Sequence, residues 1–288
     1  QTADALGIAG SQAAGSMEFL TDGAYTKRFH AGWSAHSGII ATQLAREGFT
    51  GPNTIIEGKF GFLHAYSPSS MPEKVLENWG APYQVMNTSI KPHACCRYKQ
   101  GAIDCIIKIM NEYGLSADTI EQINVSILKA GFALVAEPQE AKINPASIVD
   151  AQFSMPFGAA VAVLHGDAFL DQYSIANINS KAIKDIMEKV TCLENPLIEK
   201  DFPKKWPAHV EILTKDNRTF DANIEHPKGD PENPLTWSEI IDKFRNLTAP
   251  VISRAQQDTI VAQVRDLENM SDIARLMAEM TIDNFTIA

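Results

Sequence analysis

Apolar positions recur at helical spacing over most of the chain, interrupted by stretches that alternate as strands do. Residues 2–20 read as a helix rich in small side chains (Ala3, Ala5, Gly7, Ala9, Gly10, Ala13), stopped by Thr21-Asp22-Gly23. Glycine weakens a free helix, so this segment is expected to depend on partners packed against its small positions. A second helix is predicted over 34–47, ended by Gly48. Gly51-Pro52 then turns the chain before a short helix near 54–58. Ser70-Met71-Pro72-Glu73 has the form of a helix start, with Gly80 as the stop. Residues 85–91 are expected to be extended, and 98–113 helical up to Gly114. Residues 121–135 are expected to form a strand enriched in Val and Ile. The apolar run 147–166 predicts a buried helix, with Pro156 kinking it or opening its first turn. An amphipathic helix is predicted at 180–190, and a hairpin whose strands, 208–214 and 218–225, flank Lys215-Asp216-Asn217. Thr236-Trp237-Ser238-Glu239 is a capping box opening three final helices, near 237–247, 254–267 and 271–280.

The order is helices, then a mixed stretch, then helices again. The expected fold is therefore mostly α with an α+β domain inserted into a helical one. Residues 1–86 and 227–288 would form the helical domain, and residues 87–226 the α+β domain.

Composition narrows the function. Hydrophobic residues make up 45% of the 288 and charged residues 21%, an ordinary balance for a soluble protein. No apolar run approaches the roughly eighteen residues a membrane helix needs. No signal or transit peptide is visible, and the sequence opens on Gln1 rather than Met, so an N-terminal part is expected to be missing. A net charge of −10 argues against nucleic acid and requires any anion site to be a local basic patch. Four cysteines (Cys95, Cys96, Cys105, Cys192) are too sparse for a disulfide scaffold and fit a cytoplasmic location.

Two basic clusters stand out. Lys27, Arg28 and His30 lie just before the predicted second helix, where free N–H groups and the helix dipole favour anions. A solvated basic turn with a structural histidine is the other reading. Lys91, His93, Arg97 and Lys99 surround a Pro-Cys-Cys turn at a transition into a helix. The alternative there is a pair of core cysteines flanked by surface charge. No C-x-x-C or H-x-x-x-H spacing supports a metal or an iron–sulfur cluster, and nucleophile-elbow, P-loop and dinucleotide motifs are absent. His165 and His226 read as structural, His209 as a strand residue, and His64 is left open.

The runs GSMEFLTDGAYTKRFHAGWSAHSGIIATQLAREGFTGPNTIIEGKFGF, KPHACCRYKQGAID, KINPASIVDAQFSMPFGAAVAVLHG and HPKGDPENPLTWSEIIDKFRNL resemble the MmgE/PrpD family, in order and over nearly the whole chain. That family includes 2-methylcitrate dehydratases, cis-aconitate decarboxylases and iminodisuccinate epimerases. The resemblance implies that the α+β domain is a lid, with the active site between it and the helical domain. No cofactor is implied. It marks Lys27 and Lys91 as active-site residues, with His30 and His93 in the same motifs. Phe157 stands where some members carry an active-site tyrosine. Members also have a further N-terminal helical part bearing an Asp- and His-containing segment.

The implied chemistry moves a proton beside a carboxylate of a small di- or tricarboxylate. Lys27, Arg28 and Lys91 would bind carboxylates while His30 or His93 carries the proton. A methylcitrate-type hydro-lyase comes first in this reading. Decarboxylase and epimerase are the alternatives, and a non-catalytic partner subunit is the alternative of another class. The expected partners are the polycarboxylate and either a second copy, as a dimer, or a companion chain carrying the missing helices.

Overall fold

A computed structural model describes residues 1–281. By its contacts the chain divides into two units. Residues 1–86 with 147–150 form the first, and residues 87–146 with those from 151 onward form the second. The three C-terminal helices count with the second unit. Their grouping with 1–86 as one helical domain is a proposal from the sequence pattern.

In the first unit, helix α1 (Thr2–Ser11) packs on α3 (Thr26–Arg46), with α2 (Phe19–Asp22) between them in sequence and α4 (Phe62–Tyr66) after them. Ile8, Ala41 and Ala45 form their shared core, flanked by Ala5 and Ala9. The expected single helix over 2–20 is thus two pieces. The small residues of α1 admit the following turn closely. A Cβ on Gly7 would lie 2.7 Å from the Pro52 backbone, and one on Gly10 would lie 2.4 Å from Ile55. The close approach expected of these residues is supplied within the unit itself.

Helix α3 begins eight residues earlier than expected. Ser34 does not cap it; its hydroxyl donates to the His30 carbonyl at 3.0 Å, as a mid-helix serine does. Phe29, Trp33 and His36 stack along one face at helical spacing. Lys27, Arg28 and His30 therefore sit inside the first turns of a helix, not in a loop before it.

Residues 54–58 form turns in place of the expected short helix. The helix expected after Ser70 shrinks to a 3-10 turn at Pro72–Lys74, and the extended segment at 85–91 is replaced by a 3-10 turn at Gln84–Asn87. Leu76 and Trp79 are 67% and 82% exposed, so an amphipathic helix here would have nothing to pack against.

In the second unit, α5 (Gln100–Tyr113) ends on Gly114 as expected, in the left-handed conformation. Strand β1 (Ile120–Ile127) follows, then α6 (Lys129–Val135), α7 (Gln139–Ile143), α8 (Ile148–Gln152), which counts with the first unit up to Asp150, and α9 (Met155–His165). Helices α10 (Ile175–Ile178) and α11 (Lys181–Met187) lead into β2 (Val190–Glu194). After α12 (Pro196–Glu199) come β3 (Ala208–Thr214) and β4 (Thr219–Ile224). Helices α13 (Trp237–Thr248), α14 (Arg254–Arg265) and α15 (Ala274–Glu279) complete the described chain. The four strands form one mixed sheet in the order β2-β1-β3-β4, with β1 and β2 parallel and the other pairs antiparallel. The β3–β4 hairpin turns on Asn217, at φ 62°. The expected fold class, mostly helical with a small sheet in the middle of the chain, is the one observed.

Two expectations need correcting here. The strand stops at Ile127 because alternation ends there, and the apolar run that follows is helical. The buried helix 147–166 is broken: Ser154 accepts the Phe157 N–H at 3.1 Å, and Pro156 takes the first turn of α9. The core joins Ile103, Ile106 and Ile109 of α5 to Ile123 and Ile127 of β1 and Val210 and Ile212 of β3, all at most 1% exposed. Each such side chain contributes about 1.5–3 kcal/mol on burial. The capping box is present: Thr236 and Glu239 bond each other's main chain.

Candidate active site

The first cluster is built on α3. Its first turn has no acidic residue, and Lys27 and Arg28 oppose the positive end of the helix dipole there. Lys27 Nζ lies 5.9 Å from the centroid of the buried Phe19 ring, and the Arg28 guanidinium lies over Tyr25 at 4.9 Å. His30 meets the same Phe19 ring edge-on at 6.1 Å. One buried phenylalanine thus lies against both Lys27 and His30.

The second cluster is built by the turn 91–96 and the start of α5. Gln100 holds the turn with both ends of its amide. Its Oε1 accepts the His93 N–H at 3.1 Å, and its Nε2 donates to the His93 carbonyl at 3.1 Å. One helical turn later, Asp104 Oδ1 lies 3.0 Å from His93 Nε2, while Oδ2 accepts the Lys228 N–H at 2.9 Å. The carboxylate makes Nε2 the protonated nitrogen, so Nδ1 keeps the lone pair and is the basic end of the ring. Nδ1 is buried, and no hydrogen-bond partner reaches it among the described residues. His93 as a whole is buried. Lys91 is exposed, and its Nζ donates to the Cys95 carbonyl at 3.0 Å.

Lys91 and His93 therefore share the second unit, and Lys27, Arg28 and His30 share the first. Sequence reasoning missed Gln100 and Asp104. Their i, i+4 spacing on a helix beginning beside a basic turn was the available signal.

The turn is anchored from the far end of the chain. Ile90 N–H donates to the Gly229 carbonyl at 2.8 Å. Gly229 sits at φ 91°, and a Cβ there would fall 1.8 Å from the Ile90 oxygen. Gly229→Ala is expected to cost about 2 kcal/mol and to displace Lys91. Urea unfolding checks this; an unchanged midpoint would contradict the anchoring.

Lys99 is fully buried, donating to the Ala151 carbonyl at 3.0 Å and to the Tyr173 hydroxyl at 3.1 Å; burial pulls its pKa down from 10.5 to about 8. The Tyr173 ring lies tilted against Phe157, centroids 5.5 Å apart, so a phenol does stand beside the position where the sequence lacks one. His226, Asp230 and Glu232 bring ligand atoms within 4.8 Å of one another, but the Asp230 carboxylate is committed to Arg97 at 2.6 Å. A cavity of about 610 Å³ beside Phe132, Pro156 and Cys192 has Glu137 and no cation in its lining, a poor seat for an acid. The four cysteines are free thiols. No helix among the described residues is long and apolar enough to cross a membrane.

These are two mostly helical units, one bearing a small mixed sheet, each presenting one basic cluster. Residues 93–269 match the MmgE/PrpD C-terminal domain and residues 1–74 the MmgE/PrpD N-terminal domain, so the chain belongs to the MmgE/PrpD family. It is 28% identical, over 96% of its length, to the cis-aconitate decarboxylase-like protein oryM of Aspergillus oryzae. It is 26% identical to a cis-aconitate decarboxylase of Aspergillus terreus and 27% to one of Mus musculus, over 95% of its length in each case. The chain spans 59%, 58% and 56% of these three relatives' own lengths.

Proposed function

We propose that this chain carries part of a lyase site that decarboxylates a small tricarboxylate of the cis-aconitate type. The observation that carries the reading is the Lys91–His93–Asp104 arrangement: an exposed ammonium beside an imidazole whose tautomer a carboxylate fixes. The relatives' names support decarboxylation, the sequence reading's alternative, over the hydro-lyase it put first. The same groups would serve a methylcitrate-type dehydratase or an iminodisuccinate-type epimerase, because all three move a proton beside a carboxylate.

In decarboxylation the bond to the departing carboxylate breaks, carbon dioxide leaves, and the electron pair delocalises onto a remaining carboxylate. Lys91 and, from the other cluster, Lys27 and Arg28 stabilise that charge. A proton then quenches the carbanion. His93 can deliver it from Nδ1, the ring nitrogen not engaged by Asp104, only after taking up a proton there from solvent, and it returns to the neutral ring on giving it up; His30, half-buried on α3, is the other donor under the same condition.

The active protein is further proposed to include helices beyond this chain, supplied by a companion chain or a longer polypeptide, and to form a dimer. Phe29 and Phe60, 59% and 90% exposed, are apolar surface that such helices or a second copy would cover. A non-catalytic partner subunit is the rival of another class. The test is to offer the full-length protein a panel of tri- and dicarboxylates, following carbon dioxide release and absorbance of the conjugated double bond. Carbon dioxide from cis-aconitate is the expected result. Water loss or addition without carbon dioxide would favour the hydro-lyase, and no turnover at all would favour the non-catalytic role.

A further inference from the structure

The turn that carries Lys91 is touched by a second lysine from far along the chain. Lys243, in the middle of α13, donates from Nζ to the Lys91 main-chain carbonyl at 2.7 Å. Lys91 Nζ in turn donates to the Cys95 carbonyl. Among the described residues neither ammonium has a carboxylate within ion-pair distance. Lys181, Lys205 and Lys228, by contrast, each pair with an Asp or Glu. Burial, and then the charge of Lys91, draw the Lys243 pKa below its ordinary value, so the two cations feel each other.

We propose that Lys91 and Lys243 together form a two-ammonium seat for one carboxylate group of the substrate. Each ammonium has three N–H donors and spends one on a main-chain carbonyl, which leaves donors on both for a shared anion. Two cations held together without an anion repel each other, and a carboxylate between them turns that repulsion into attraction. Lysine suits the task because a compact charge on a flexible stem can hold a carbonyl and an anion at once. The inference rests on the reading that the 91–96 turn faces the substrate, and it adds Lys243 as a binding residue.

The test uses the full-length protein and tricarballylate, a saturated tricarboxylate, titrated by calorimetry. Lys243→Gln keeps an N–H for the Lys91 carbonyl but drops the charge; Lys243→Arg keeps both. The Gln variant is expected to bind roughly fivefold more weakly and the Arg variant within about twofold of the parent, the loss of one charge-assisted hydrogen bond. In the unaltered protein, tricarballylate is expected to slow acylation of the Lys243 amine, read by mass spectrometry of its peptide; this arm does not depend on how a variant folds. If Lys91→Met loses binding while Lys243→Gln binds like the parent, or if Lys243 gains no protection in a protein that binds tricarballylate, the inference is wrong and the lyase reading stands. If the parent neither binds tricarballylate nor turns over any polycarboxylate, the lyase reading fails and takes the inference with it.

Discussion

Lys91→Ala in the full-length protein is expected to lower turnover by about tenfold or more, the cost of removing one preorganised donor from a developing oxyanion. The expectation rests on placement. Lys91 is exposed at the mouth of a turn fixed by Gln100, Asp104 and Gly229, and its ammonium donates to a main-chain carbonyl. An ammonium held this way gives the fold little, so its removal should leave the melting temperature close to that of the parent. Lys91→Arg should recover part of the rate, because it keeps the charge in a different shape. Unchanged kinetics in the alanine variant would remove Lys91 from the site.

The second large effect concerns Lys99 and is a matter of stability. The lysine is wholly buried with neutral partners, Ala151 O, Tyr173 Oη and the free thiols nearby, and no carboxylate. Its folded pKa of about 8 lies below the ordinary 10.5, with burial as the leading cause. Between those two values the unfolded chain holds the proton and the folded chain does not. Stability from this group therefore rises as pH climbs from about 8 to about 10.5, and the penalty is full below 8. The size is on the order of 3 kcal/mol. Burial also pushes the Cys105 and Cys192 thiols up to about 12, which acts in the opposite direction at alkaline pH. Comparing the parent with Lys99→Met cancels those thiols. The stability difference, parent minus variant, should grow in the parent's favour between roughly pH 7 and pH 10 in urea titrations. A difference flat with pH would show that the folded Lys99 holds its proton as the unfolded chain does, with no downward shift from burial.

Legibility in the sequence followed locality. Elements bounded by their own chemistry were readable: α5 up to Gly114, the hairpin around Asn217, and α13 from the Thr236–Glu239 capping box. Elements decided by what lies across from them were not. The stretch after Ser70 has a good helix start, yet its Leu76 and Trp79 stay exposed and the helix does not propagate. The helix expected to start near residue 34 begins at Thr26, and Gly32 between them does not interrupt it. The candidate residues themselves were legible as two basic clusters. Their supporting groups were hidden because each acts across a sequence gap that periodicity does not span: Asp104 eleven residues from His93, and Lys243 152 residues from Lys91.

Proton transfer beside a carboxylate is the central claim, and solvent deuterium tests it most directly. The full-length protein is incubated with cis-aconitate in heavy water, and product and recovered substrate are read by proton and deuterium NMR. The account predicts one solvent deuterium at a carbon adjacent to, or conjugated with, a carboxylate, with incorporation lost in step with turnover in Lys91→Ala. Product formed without deuterium, or deuterium incorporation undiminished in Lys91→Ala, would contradict it.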